Sequence, residues 1–127
     1  MPQVSVIMPC YNAASFLDRA ILSLQEQTLE DWELLAVDDC STDDTRARLQ
    51  EWSRRDPRVR CLQTPKNGGP SAGRNIGIRE SAGDWLAILD ADDAFKPERL
   101  ASLTALGNEQ GADLVFDGLI YYDDQER

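Results

Sequence analysis

The chain has 127 residues, 13 basic and 23 acidic side chains, and a formal net charge of −10. The length suits one domain, and a hydrophobic fraction of 42% is enough for a core and too high for an intrinsically disordered chain. The charge argues against nucleic acid and anionic lipid as partners, since both require a basic face; no apolar run approaches the roughly 20 residues of a membrane span, and Met1-Pro2-Gln3 lacks the basic start and apolar stretch of a secretory signal.

Val4-Ser5-Val6-Ile7-Met8 is short, β-branched and almost continuously apolar, which predicts a buried strand. From Ala14 the period changes: Leu17, Ile21 and Leu24 recur at helical spacing, and Ser15 or Asn12 is placed to cap that helix. Trp32 to Val37 predicts a second strand, ending at Asp38-Asp39. Ser41-Thr42-Asp43-Asp44 has capping-box spacing before a helix to about Arg54, with Leu49 and Trp52 inward. Val59 to Gln63 predicts a third strand. Asn67-Gly68-Gly69-Pro70 is a turn cluster that leads into a helix carrying Ala72, Ile76 and Ile78 and stopping near Gly83. Trp85 to Leu89 predicts a fourth strand, running into Asp90-Ala91-Asp92-Asp93. Pro97 opens a further helix, with Leu100, Leu103 and Leu106 inward and Gly107 or Gly111 at its end. Leu114-Val115-Phe116 starts a fifth strand.

This alternation predicts βαβ units and a mainly parallel sheet flanked by helices. In such sheets ligands bind beyond the carboxyl ends of the strands. Pro9-Cys10-Tyr11-Asn12, Asp38-Asp39 and Asp90 to Asp93 all fall there. Three cysteines, Cys10, Cys40 and Cys61, with no C-x-x-C spacing form neither a disulfide framework nor a zinc site, and predict free thiols in the cytosol. The chain contains no histidine, which removes a Ser-His-Asp triad, a His-based zinc enzyme and His acid–base catalysis. Carboxylates, arginine, backbone groups and an oxygen-bound metal are left to carry any chemistry.

Asp90 and Asp92, one residue apart at a strand end, can both serve a hard cation such as Mg²⁺ or Mn²⁺; a solvated loop leading to the next helix is the structural alternative. Asp38-Asp39 can bind metal, accept hydrogen bonds from a ligand, or place negative charge at a helix start. Tyr11 can stack on a base or sugar, or sit half-buried at its strand end. Arg74 near a helix start is unfavourable against the helix dipole unless it meets an anion, either a phosphate or the acids of 90–93. There is no G-x-x-x-x-G-K-[ST] and no glycine in the first strand–helix turn, so P-loop and Rossmann dinucleotide readings fail.

Val-Ser-Val-Ile-Met-Pro-Cys-Tyr-Asn (4–12), Val-Asp-Asp-Cys-Ser-Thr-Asp (37–43), Gly-Pro-Ser-Ala-Gly-Arg-Asn-Ile-Gly (69–77), Leu-Asp-Ala-Asp-Asp (89–93) and Lys-Pro-Glu-Arg-Leu (96–100) resemble glycosyltransferase family two. The resemblance implies a Rossmann-like GT-A fold. It also implies transfer of a sugar, mostly with inversion, from a metal-bound nucleotide-diphosphate sugar, a UDP-sugar being favoured, to a saccharide or lipid-linked acceptor. It assigns Pro9, Tyr11, Asp38, Asp39, Arg74, Asp90 and Ala91 to the nucleotide. Asp92, with Asp90, goes to Mg²⁺ or Mn²⁺. The catalytic base of the family lies in the acceptor-binding half, and Asp117, Asp123 and Asp124 match no motif. Residues 1–127 are therefore expected to be the nucleotide-sugar-binding part of one incomplete, truncated domain, inactive in transfer by itself. It is expected to be cytoplasmic, with peripheral attachment to the inner face of a membrane through parts beyond Arg127. An unfinished sheet edge predicts aggregation or a homodimer.

Two other α/β classes fit less well. A receiver-type domain requires an acidic pair after the first strand, where Met-Pro-Cys-Tyr stands, and a haloacid-dehalogenase-like phosphatase requires its D-x-D there rather than after the fourth. A nucleotide-binding module without turnover remains the alternative.

Overall fold

The computed structural model describes residues 2–113. Four strands, β1 (Val4–Cys10), β2 (Trp32–Asp38), β3 (Val59–Gln63) and β4 (Trp85–Ile88), alternate with four helices, α1 (Leu17–Gln25), α2 (Thr45–Arg55), α3 (Gly69–Glu80) and α4 (Arg99–Gln110). The strands form one parallel sheet in the order β3-β2-β1-β4. The expected fifth strand from Leu114, and Asp117, Asp123 and Asp124, lie outside the described residues. No helix among the described residues is long and apolar enough to cross a membrane.

β1 and β2 are central and buried on both faces, which explains their near-continuous apolar sequence. Val4, Val6, Met8 and Cys10 on β1 share one core with Leu34 and Ala36 on β2. Leu17, Ala20, Ile21 and Leu24 of α1, Leu49 and Trp52 of α2 and Leu100 of α4 close that core. The other face of β1 and β2 meets α3. There the helix presents Gly73 and Gly77, while Ile78 is exposed. A Cβ on Gly77 would lie 2.5 Å from Ile7 Cγ2, and one on Gly73 would lie 3.3 Å from Pro9 Cβ. Glycine at these two positions lets the helix backbone approach β1 more closely than any side chain permits.

Helix starts differ from the sequence expectation. Phe16 precedes α1 and Asp44 precedes α2, neither with a side-chain cap. Ser15 and Asn12 therefore do not cap α1. Asn12 adopts φ 48° and accepts instead from the Thr42 N–H at 2.8 Å, joining the loops after β1 and β2. Asp43, rather than a Ser41–Asp44 box, accepts from the Thr45 N–H at 2.9 Å. On α4 the buried positions are Leu100, Thr104 and Gly107, and Leu106 is exposed. Gly111, with φ 62°, ends the helix in the left-handed conformation, and Gly107 lies inside it.

Candidate functional site

Parallel strands bring their carboxyl ends to one edge of the sheet. The Asp39 N–H donates to the Cys10 carbonyl at 2.8 Å, the Thr64 N–H to the Asp38 carbonyl at 3.0 Å, and the Leu89 N–H to the Ile7 carbonyl at 3.0 Å. These bonds set Tyr11, Asp38-Asp39, Thr64 and Asp90 at the rim.

Tyr11 is 52% exposed at this rim, so its ring face is open to a planar ligand. Pro9 is half-buried beneath Gly73. Asp38 is buried, and its Oδ1 accepts from the Ser41 N–H at 3.2 Å. Asp39 is also buried. Its Oδ1 accepts from the Thr64 hydroxyl at 2.8 Å and the Gly68 N–H at 2.9 Å, and its Oδ2 from the Gly69 N–H at 2.8 Å. Burial pushes this carboxyl up, but the bonds from Gly68, Thr64 and Gly69 outweigh it and hold the pKa below the ordinary carboxylate value. Asp39 thus ties the end of β2 to the start of α3. Gly69, at φ 81°, supplies the left-handed turn that aims two successive N–H groups at one carboxylate. Two of the acceptor sites on Oδ1 are filled, whereas Oδ2 has taken one bond, so capacity for a ligand donor remains.

Asp90, Asp92 and Asp93 are exposed, and each offers a carboxylate oxygen within 4.8 Å of the others. The Asp93 N–H donates to the Asp90 carbonyl at 2.9 Å, closing a tight turn that turns the acids together. Ala91 between them is buried in the core, so only its main chain is offered to a ligand. The sequence expectation gives a cation to Asp92 and Asp90; the turn brings the Asp93 carboxylate to the same place, and the unbroken Asp92-Asp93 pair at a strand end is the signal for it. Arg74 Nη2 lies 3.9 Å from Asp90 Oδ1, and its Nε is buried with no hydrogen-bond partner. One loose ion pair leaves most of the guanidinium donors unspent.

The donor set fits Mg²⁺ or Mn²⁺: all-oxygen, anionic and open on one side, as an ion sharing its coordination with phosphates requires. The thiols do not compete. Burial pushes the Cys10 and Cys61 thiols up, and the nearby Asp38 charge adds to it, so both stay protonated and unreactive. A cavity of about 600 Å³ lies elsewhere, between β4 and α4, lined by Leu86, Ile88, Phe95 and Leu103. Asp84, Arg99 and Thr104 line it as well, and none of Asp90, Asp92 and Asp93 does.

Fold and rim together define a GT-A glycosyltransferase domain. The chain belongs to glycosyl transferase family 2, whose model matches residues 5–127. It is 35% identical over 117 residues to a putative teichuronic acid biosynthesis glycosyltransferase, TuaG, of Bacillus subtilis, covering 92% of this chain and 46% of that protein. Among solved structures it is similar to Staphylococcus aureus TarS 1-349 in complex with UDP-GlcNAc, with TM-score 0.79 and 31% identity, covering 86% of this chain and 32% of that 1-349 chain. It is also similar to the mannosyltransferase PcManGT of Pyrobaculum calidifontis in complex with GDP-Man and Mn²⁺, with TM-score 0.68 and 28% identity over 74% of this chain and 28% of that one. The chain spans less than half the length of such curated relatives.

Proposed function

We propose that this chain binds the donor of an inverting hexosyl transfer, a UDP-sugar together with Mg²⁺ or Mn²⁺, for delivery to a saccharide or lipid-linked acceptor of the kind used in cell-envelope polysaccharide synthesis. One observation carries the reading. A buried, ionised acceptor (Asp39), an exposed ring (Tyr11), an under-used arginine (Arg74) and a cluster of three carboxylates occupy one rim of a parallel sheet. Tyr11 stacks on the base. Asp39, backed by Asp38, accepts an imide N–H. Arg74 exchanges its loose contact with Asp90 for the diphosphate, where a bidentate guanidinium is strongest. Pro9 and the Ala91 main chain line the nucleotide. Asp92, with Asp90 and Asp93, would hold the cation, which supplies positive charge to the departing diphosphate. TarS bound to UDP-GlcNAc and PcManGT bound to GDP-Man and Mn²⁺ support this assignment.

Isothermal titration tests it. UDP is expected to bind in the presence of Mn²⁺ and to lose that metal-dependent affinity in Asp92→Ala. Affinity unchanged by the substitution would count against the reading. A second reading, donor binding without transfer, is favoured by the chain's span of less than half its relatives. It places the base that deprotonates the acceptor outside this chain. Sugar transfer to an acceptor by residues 1–127 alone would overturn it.

A further inference from the structure

Three polar residues at intervals of four, Arg19, Ser23 and Gln27, run along one side of α1 and its exit. All three bond to the segment that follows β4. Arg19 Nη2 donates to the Asp92 main-chain carbonyl at 2.6 Å. The Phe95 N–H donates to Ser23 Oγ at 3.1 Å. Gln27 Nε2 donates to the Lys96 carbonyl at 2.7 Å, and Gln27 Oε1 accepts from the Leu100 N–H at 3.1 Å. The Thr28 N–H adds a bond to the Pro97 carbonyl at 2.9 Å. Ser23 and Gln27 are buried, and the bond from the Leu100 N–H to Gln27 is shielded from water, those to Phe95 and Lys96 partly so. The segment from Asp92 to Glu98 has no strand or helix to order it before α4 begins, and α1 and its exit supply partners there and at Leu100 in the first turn of α4.

We propose that this stripe of α1 is a positioning device for the metal loop. It fixes the backbone of 92–100 so that Asp90, Asp92 and Asp93 converge before a cation arrives. Three like charges brought together repel one another, and a free loop would relax by spreading them. The stripe prevents that. Arg19 adds a positive charge at the carbonyl that joins Asp92 to Asp93, where it also offsets the repulsion. The ordering is thus completed on folding and is not drawn from the binding energy of the metal. Arg19, Ser23 and Gln27 touch neither donor nor metal; they act through the loop.

This inference rests on the metal-binding reading above, and its test separates the two. Mn²⁺ affinity is measured by titration of its electron paramagnetic resonance signal, and main-chain hydrogen exchange over 93–100 is followed without metal. Arg19→Met is expected to weaken Mn²⁺ binding about 3- to 10-fold, at or just below the roughly 10-fold lower bound for loss of an outer-sphere partner because Arg19 holds the main chain and not a ligand, with Arg19→Lys within about 2-fold of the parent. Ser23→Ala is expected to speed exchange at Phe95 and its neighbours and leave β1 and β2 unchanged. Asp92→Ala is the control for the metal reading. If it abolishes Mn²⁺ binding while Arg19→Met leaves it intact, the positioning role is wrong and the metal site stands. If Asp92→Ala also leaves binding intact, both fall. Acceleration of exchange throughout the sheet in Arg19→Met would mark a merely structural side chain and equally overturn the proposal.

Discussion

Asp39 shows how much one side chain can do at a strand end. Its carboxylate satisfies a hydroxyl and two N–H groups of residues 25 to 30 positions further on. Replacing it by Asn puts an amide donor against at least one of those donors. Asp39→Asn is therefore expected to destabilise the chain by about 1–3 kcal/mol, the penalty for buried polar groups left unsatisfied, and to lower UDP affinity as well. Urea unfolding and titration read the two effects separately. Asp39 is not alone in its titration. Asp56 is held low first by its side-chain bonds from Arg58, against burial, and then by the Arg58 N–H and Gln25. For both groups the folded pKa lies below the unfolded one, so their stabilisation is present above the ordinary carboxylate value of 3.8 and is lost as pH falls through the folded values. The unfolding midpoint should be flat above about pH 5 and fall steeply below about pH 4, and Asp56→Asn should flatten that acid limb. A midpoint that rose on acidification would contradict the assignment of these bonds.

At the scale of elements, the packing of α3 on β1 is the least forgiving contact. With a Cβ at Gly77 only 2.5 Å from Ile7 Cγ2, Gly77→Ala is expected to cost about 1–3 kcal/mol by overpacking, despite alanine's better helix propensity. Chemical denaturation measures it, and a stabilised variant would show that the helix can slide outward. This contact also explains what the sequence concealed. The apolar pattern locates all four described strands and helices because β1 and β2, buried on both faces, are apolar almost throughout, while α1 buries one face at helical spacing. The same rule misreads α3, whose inward face is glycine and therefore carries no hydrophobic signal, and it turns Leu106 inward where Thr104 and Gly107 pack. Capping fails for a related reason: Asn12 and Asp43 are spent joining two loops, a contact made across 30 residues that no local pattern displays. The acids at the ends of β2 and β4 are legible because each cluster directly follows an apolar strand, although the structural work of Asp39 at Thr64, Gly68 and Gly69 is not. Nor is the bond from Arg19 to the acidic loop, since it crosses 73 positions.

For the molecule as a whole, ligand and fold should be strongly linked. The rim draws on the ends of three strands and the start of α3, so occupation ties together elements distant in sequence. A ligand present at about 100 times its dissociation constant adds about 2.7 kcal/mol to the folded state, or roughly 10 °C in midpoint for a domain of this size. UDP with Mn²⁺ is expected to approach that shift in a thermal melt, UDP alone to fall well short of it, and Asp92→Ala to show no added effect of the metal. Equal shifts with and without Mn²⁺ would separate nucleotide from cation. On the proposed reading the net charge of −10 is compatible with an anionic ligand, because a cation would join the two.

Pro9 bears on where the acidic loop begins. Along β1, alternate residues face alternate neighbours: the Cys10 carbonyl bonds toward β2, and the Ile7 carbonyl accepts the Leu89 N–H on the β4 side. The next β1 donor on that side belongs to residue 9, and proline has none. The ladder between β1 and β4 therefore stops where the pyrrolidine ring interrupts it, and the chain beyond Leu89 is released from the sheet at Asp90. A residue 81 positions upstream, chosen for what it lacks, thereby decides which carboxylates leave the sheet and converge in the turn beyond it.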